Sequence, residues 1–298
     1  MNCAPIALFA YNRPWHLRQT VDALMKNELA GESDLIIFSD APRDPGADEA
    51  VREVRTYLKN ITGFRSVTII KRTKNFGLAN SIIDGVTRLC TEYGRIIVVE
   101  DDLVTSPYFL RYMNESLDMY EQEEQVISIH GYMYPVEELL PVTFFVRGAD
   151  CWGWATWKRG WDLFEPDAGK LLSVLAKQNL KRRFDLNGAY SYSRMLEDQV
   201  SGKIDSWAVR WHASAFVKGK LTLYPVRSLV RNIGFDSSGT HCGTSKNWDT
   251  DLATSPILVE KISVQEHLTA TNAIENYWRS VKPSWMNRIS RRIFNLLI

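Results

Sequence analysis

Three consecutive acids, Glu100-Asp101-Asp102, directly follow the apolar run Ile96-Ile97-Val98-Val99. Adjacent carboxylates repel one another, and a bound cation is the simplest remedy. Hard oxygen ligands select magnesium, manganese or calcium, and such an ion acts as a Lewis acid toward a departing anionic group. In open α/β sheets ligands bind beyond the carboxyl ends of the strands, which is where this cluster falls. A solvated turn after a strand is the plain alternative for an acidic triplet taken alone.

Other residues of chemical interest are spaced along the chain. Ala10-Tyr11-Asn12-Arg13-Pro14 ends one apolar run and opens a helix pattern, so backbone N–H groups and the fixed charge of Arg13 favour an anion there. Ser39-Asp40 ends a second run, and its carboxylate can accept hydrogen bonds from a nucleobase. Farther on, Glu197-Asp198 and Asp205 are carboxylates able to deprotonate a hydroxyl. Asp205 also suits a helix cap. The run Cys151-Trp152-Gly153-Trp154-Ala155-Thr156-Trp157 reads as an aromatic loop. Its rings can stack on sugar C–H faces or fill a core, and Trp152 and Trp154, flanking a glycine, are the best candidates for stacking.

The elements that must position these residues follow from periodicity. Strands are expected at Ile6–Tyr11, Leu35–Phe38, Ser66–Ile70 and Arg95–Val99, with helices from Pro14, over Asp48–Lys59 and over Ser81–Tyr93. That alternation predicts an α/β fold, a mostly parallel sheet flanked by helices with right-handed crossovers. The second half is less regular: a helix from Pro107 to Tyr120, strands at Val126–His130, Thr143–Val146 and Leu221–Tyr224, and helices up to about Lys218. No internal repeat or low-complexity tract is visible.

Bulk composition narrows the function classes. The 298 residues are 45% hydrophobic and 24% charged, with a formal net charge of +1. No basic excess exists to neutralise nucleic-acid phosphates. The four cysteines lack metal-ligand or disulfide spacing, which predicts a reduced, cytoplasmic setting. No Gly-x-x-x-x-Gly-Lys-Ser/Thr or Gly-x-Gly-x-x-Gly motif is present, against a P-loop NTPase or a dinucleotide oxidoreductase.

Val98-Val99-Glu100-Asp101-Asp102-Leu103, followed by Ser106-Pro107-Tyr108-Phe109, resembles the metal-binding segment of GT-A glycosyltransferases, most closely the N-acetylglucosaminyltransferase I type. Arg13 and Asp40 look like the two strand-end residues of that nucleotide pocket. Asn75-Phe76-Gly77 resembles the Asn-x-Gly segment of bacterial surface-polysaccharide sugar transferases. The likeness covers residues 5 to 112 well and 143 to 241 more loosely. It implies a GT-A fold, with Asp102 on Mn2+ or Mg2+ and Arg13, Asp40, Asn75, Glu100 and Asp101 around a nucleotide-diphosphate sugar, a UDP-sugar above all. Asp205-Ser206-Trp207 through Tyr224-Pro225 resembles the unit that carries the base of inverting members, which points to Asp205, with Asp198 second. The loop from Asn232 to His241 has a counterpart in which a late His serves as a metal ligand or donor lid, so His241 is a candidate metal contact.

The resemblance implies a metal-dependent glycosyltransferase acting on a glycan or lipid-linked glycan acceptor in surface polysaccharide (O-antigen or capsule) synthesis. A sugar nucleotidyltransferase and a non-catalytic carbohydrate-binding protein are the alternatives. The expected organisation is a donor half (1–112) and an acceptor half (113–270) of one domain, then an amphipathic helical tail (271–298). That tail, with Arg288, Arg291 and Arg292 near Trp285, Ile289 and Ile293, suits peripheral contact with the inner face of a membrane.

Overall fold

The computed structural model describes residues 3–236 and 247–281. Four adjacent parallel strands form the front of the sheet: β1 (Ile6–Ala10), β2 (Asp34–Ser39), β3 (Ser66–Lys71) and β4 (Arg95–Glu100), in the order β3-β2-β1-β4. Helices α1 (Pro14–Met25), α2 (Asp48–Leu58) and α3 (Leu78–Tyr93) make the crossovers. The central strands β1, β2 and β4 read as apolar runs because both their faces are covered, whereas the edge strand β3 is partly exposed. Side chains alternate between those faces. Ile6, Leu8, Ile97 and Val99 pack with Leu17, Val21 and Leu24 of α1 on one side. Ala7, Phe9, Ile96 and Val98 pack with Ile82, Val86 and Leu89 of α3 on the other.

The back of the sheet is mixed. Among the described residues the order continues β4-β8-β6-β9-β7, from β6 (Val126–His130), β7 (Thr143–Arg147), β8 (Trp154–Trp157) and β9 (Leu221–Pro225). Strand β8 runs antiparallel to both β4 and β6, and β7 antiparallel to β9, while β6 and β9 keep the direction of the front strands. The sheet is therefore mostly parallel and flanked by helices, as expected. A two-stranded ribbon, β5 (Leu103–Thr105) with β10 (Val230–Asn232), ties the segment after the acids to the segment after β9.

Strand β8 is a departure from the expected aromatic loop. Trp154-Ala155-Thr156-Trp157 alternates between faces: Trp154 joins the α3-side core, whereas Ala155 and Trp157 join the α1-side core. A period of two fitted four such residues to a central strand. The helices are α4 (Phe109–Met119), α5 (Lys158–Trp161), α6 (Ala168–Lys177), α7 (Lys181–Phe184), α8 (Tyr192–Val200), α9 (Trp207–Val217) and α10 (Leu268–Val281). Helix α10 begins at Leu268, three residues before the expected tail (271–298), and runs to Val281; residues 282–298 lie outside the described residues. Among the described residues no helix is long and apolar enough to cross a membrane.

Candidate donor site

All four front strands end at one edge of the sheet, and each delivers one of the singled-out residues there. Strand β1 gives Arg13, which stands at the N-cap of α1 with Pro14 as the first helical residue. Proline fits that position because its missing N–H would have no helical partner. Strand β4 ends in Glu100, with Asp101 and Asp102 at the turn beyond it.

Arg13 Nη2 donates to an Asp101 carboxylate oxygen and to Asp102 Oδ2, the latter at 2.9 Å. The side chains are 19%, 6% and 11% exposed respectively, so the ion pairs are largely out of water. Asp101 is held further: the Tyr11 N–H approaches Oδ2 at 3.4 Å, and Thr20 Oγ1 donates to its carbonyl at 2.9 Å. The negative charge of the triplet is thus met first by a guanidinium. Burial works against the charge on Arg13, but Asp101 and Asp102 hold its pKa above the ordinary arginine value. Burial pushes Asp101 up to about 6 against the opposing pull of Arg13. Glu100 is pushed up to about 8, by burial first and then by Asp102 and Asp101. Among the described residues no hydrogen bond reaches the Glu100 carboxylate or Asp102 Oδ1.

The residue that closes over this network is Gly234. Its segment follows β10 and is pinned by the Ile233 N–H to the Asp102 carbonyl (2.9 Å) and by the Gly234 N–H to Asn232 Oδ1 (2.7 Å). A Cβ at Gly234 would stand 2.2 Å from Asp102 Oδ2 and 3.0 Å from Arg13 Nη1. Sequence reasoning marked this loop but not the glycine, whose requirement exists only once β5 and β10 pair. Beside it, His16 Nε2 lies 3.0 Å from Asp236 Oδ2.

Asp40 and Asn75 belong to the same edge but have structural partners. The Asp40 carboxylate accepts the N–H groups of Ala41 (2.9 Å), Phe76 (2.9 Å) and Gly77 (3.0 Å), fixing the entry to α3. Asn75 Nδ2 donates to the Ala41 carbonyl at 2.7 Å. Tyr11 links the neighbouring loops, its hydroxyl accepting the Arg43 N–H at 3.0 Å.

Asp205 reaches the same edge from the other direction. The turn at Gly219, with φ +66°, reverses α9 into β9, so the start of α9 lies at the carboxyl ends of the strands. The cap of α9 is Ser206, which accepts the Val209 N–H at 3.3 Å, and Asp205 is left 59% exposed beside Arg210 (3.1 Å). It forms no hydrogen bond with Arg13 or the triplet. Asp198 sits within α8, between Arg194 (3.3 Å) and Lys203 (3.5 Å).

The two tryptophans expected on the acceptor side part company. Trp154 is fully buried against Trp161, Trp207 and Trp211, so no ligand reaches its face. Gly153, at φ +59°, interrupts the extended run, and Trp152 turns out to meet Tyr132, Phe235 and Trp248. Trp248 then contacts the buried Trp278, and Trp278 contacts Tyr190, so a run of rings leads from beside Gly234 toward the groove between α8 and α10. Behind them Asp150 accepts the hydroxyls of Tyr134 and Tyr224, each at 3.1 Å, beside a cavity of about 30 Å3 that has room for a water. His241 lies outside the described residues.

Among the described residues no group of three or more His, Cys, Asp or Glu side chains is arranged to hold a metal. A divalent cation still fits a smaller donor set. Among the described residues Asp102 Oδ1, a hard oxygen, has no hydrogen bond and is free to face a cation, while Oδ2 is taken by Arg13 and covered by the Gly234 main chain.

No family model matches the chain, and neither does any curated protein. Among solved structures it is similar to the mannosyltransferase PcManGT from Pyrobaculum calidifontis in complex with GDP-Man and Mn2+, at 12% identity over 43% of this chain and 35% of that one, TM-score 0.31. It is similar to S. aureus TarS 1-349 in complex with UDP-GlcNAc, at 8% identity over 76% and 57%, TM-score 0.40. It is also similar to UDP-glucose pyrophosphorylase complexed with UDP-glucose, at 11% identity over 57% and 79%, TM-score 0.30. The chain thus spans about a third of the length of PcManGT and somewhat over half of the TarS fragment.

Proposed function

We propose that this chain is a glycosyltransferase of the GT-A type that moves a sugar from a nucleotide-diphosphate sugar to an acceptor hydroxyl, with inversion. The observation that carries the reading is the buried Arg13–Asp101–Asp102 network under Gly234, at the carboxyl edge of the parallel strands. Such an edge is where open α/β sheets bind nucleotides. The helix opening after Arg13 favours a diphosphate. Asp102 would hold Mn2+ or Mg2+, which supplies Lewis-acid stabilisation of the leaving diphosphate when bound. Arg13 orients the anion, while Asp40 and Asn75 keep the neighbouring loops in place. Asp205, exposed at the same edge and 3.1 Å from Arg210, would take the proton of the attacking hydroxyl.

In this reading residues 1–112 serve the donor, a UDP-sugar in the first instance. Residues 113–270 serve a glycan or lipid-linked glycan acceptor, with Trp152 beside the donor edge, in surface polysaccharide synthesis. The loop after β1 has no Gly-rich phosphate cradle, which weighs against nucleotidyl transfer. Donor hydrolysis and transfer, measured with and without chelator on wild type and Asp102→Ala, test the reading. Equal turnover in all arms would remove the metal role. Near-normal turnover of Asp205→Asn would move the base to Asp198. Failure to bind any nucleoside diphosphate in a calorimetric series would favour a carbohydrate-binding protein.

A further inference from the structure

Resting on the donor-site reading above, we propose that Arg13 holds the place of the divalent cation on Asp101 and Asp102, so that the cation binds appreciably only together with the diphosphate. One guanidinium nitrogen touches both carboxylates, and the main chain at Gly234 is seated on that contact so closely that no Cβ would fit. The network is therefore complete as a folded unit, not a vacant pair of acids awaiting a metal.

Charge decides what can enter it. Arg13 and two ionised aspartates carry one net negative charge. A dication alone would turn that into one net positive charge in a largely dry place, with the tethered guanidinium still competing for the same oxygens. A dication that arrives with a nucleotide sugar brings two positive and two negative charges and leaves the balance unchanged. Arg13 then has a new partner, because its planar fork matches phosphate oxygens as well as carboxylates. Asp102 Oδ1, unbonded among the described residues, is the oxygen at which the exchange can begin.

Binding of Mn2+ followed by electron paramagnetic resonance, with no turnover involved, separates the possibilities. Wild type should bind Mn2+ alone weakly, and at least about tenfold more tightly when UDP or GDP is present in separate titrations. Arg13→Gln should bind Mn2+ alone about tenfold or more tightly than wild type and should lose most of the diphosphate dependence. Mn2+ should also raise the melting temperature of Arg13→Gln more than that of wild type. Unchanged or weaker Mn2+ binding by Arg13→Gln overturns the proposal, as does equal wild-type affinity with and without a diphosphate that binds. If neither nucleotide binds, the donor-site reading fails, while the comparison in Mn2+ alone still judges Arg13. Should Arg13→Gln not fold, Arg13→Lys takes its place. Its single ammonium cannot reproduce the bridge and should give an intermediate Mn2+ affinity, and wild-type affinity would count against the proposal.

Discussion

The front and back of the sheet solve different problems with different residues. At the front, the buried middles of the parallel strands β1, β2 and β4 are apolar, and the residues of chemical interest are concentrated at one edge. There the loops are held by hydrogen bonds and ion pairs: Asp40 on three N–H groups, Asn75 on the Ala41 carbonyl, Arg13 on two carboxylates. At the back, mixed strands are held by rings, with Trp154, Trp161, Trp207 and Trp211 in mutual contact under β8. The two halves even bury titratable groups of opposite kind. Burial favours a protonated Glu100 at the front and a neutral His130 at the back. A cluster of charge at one edge and a cluster of rings inside are what a donor site and its scaffold would each need.

The largest effect that would separate the halves is on turnover. Asp102→Ala should lower sugar transfer by about two to three orders of magnitude while leaving the melting temperature within a few degrees, because Arg13 keeps Asp101. Steady-state transfer assays paired with calorimetry check both parts. A large loss of stability with intact turnover would reverse the assignment of the front edge.

Trp154→Ala should do the opposite, costing roughly 3–5 kcal/mol of stability by opening a cavity among three other indoles, with no selective loss of nucleotide affinity in the folded fraction. Trp152→Ala, at a half-buried position, should cost about 1 kcal/mol and weaken acceptor use more than donor use. Equal behaviour of the two variants in urea unfolding would erase the distinction between them.

His130 gives the back half a pH signature. It is fully buried at the end of β6, its Nε2 accepts the Trp152 N–H at 3.3 Å, and burial lowers its pKa from 6.5 to about 4. Between those values the unfolded chain binds the proton and the folded one does not, so stability is present above pH 6.5 and falls as the pH drops toward 4. The loss should approach about 3 kcal/mol, and His130→Gln should flatten that slope. Urea midpoints measured at half-unit pH steps would show it; a slope unchanged in the variant would place the acid sensitivity elsewhere.

Much of the front edge was legible because strand ends and acids announce themselves locally. Ile96 to Val99 ran straight into Glu100, and Arg13 preceded a proline that could only open a helix. What the chain order could not display was who would answer the charge. That Arg13 bridges Asp101 and Asp102 depends on β1 and β4 becoming neighbours, and that Gly234 must be glycine depends on β10 returning to β5. The back half was harder for a different reason. Trp152 and Trp154 have the same composition and the same spacing, and only the left-handed turn at Gly153 sends one into the core and the other toward Phe235. Strand β8 was hidden for want of apolar aliphatics, although Trp-Ala-Thr-Trp alternates as a strand should.

The smallest effect sharpens the same contrast from the front. Asn75 resembles a donor-contacting residue by its place in the sequence, yet its amide is committed to the Ala41 carbonyl at 2.7 Å, joining the loop after β3 to the loop after β2. If it acts only as a tie, Asn75→Ala should cost about 1 kcal/mol of stability by leaving the part-buried Ala41 carbonyl without this donor. Nucleotide affinity should then fall by no more than the loosening of that loop allows, about twofold to fivefold. Isothermal titration with nucleoside diphosphates, run beside urea unfolding, distinguishes the cases. A drop of a hundredfold at unchanged stability would make Asn75 a direct contact and extend the charged edge beyond β1 and β4 to β3.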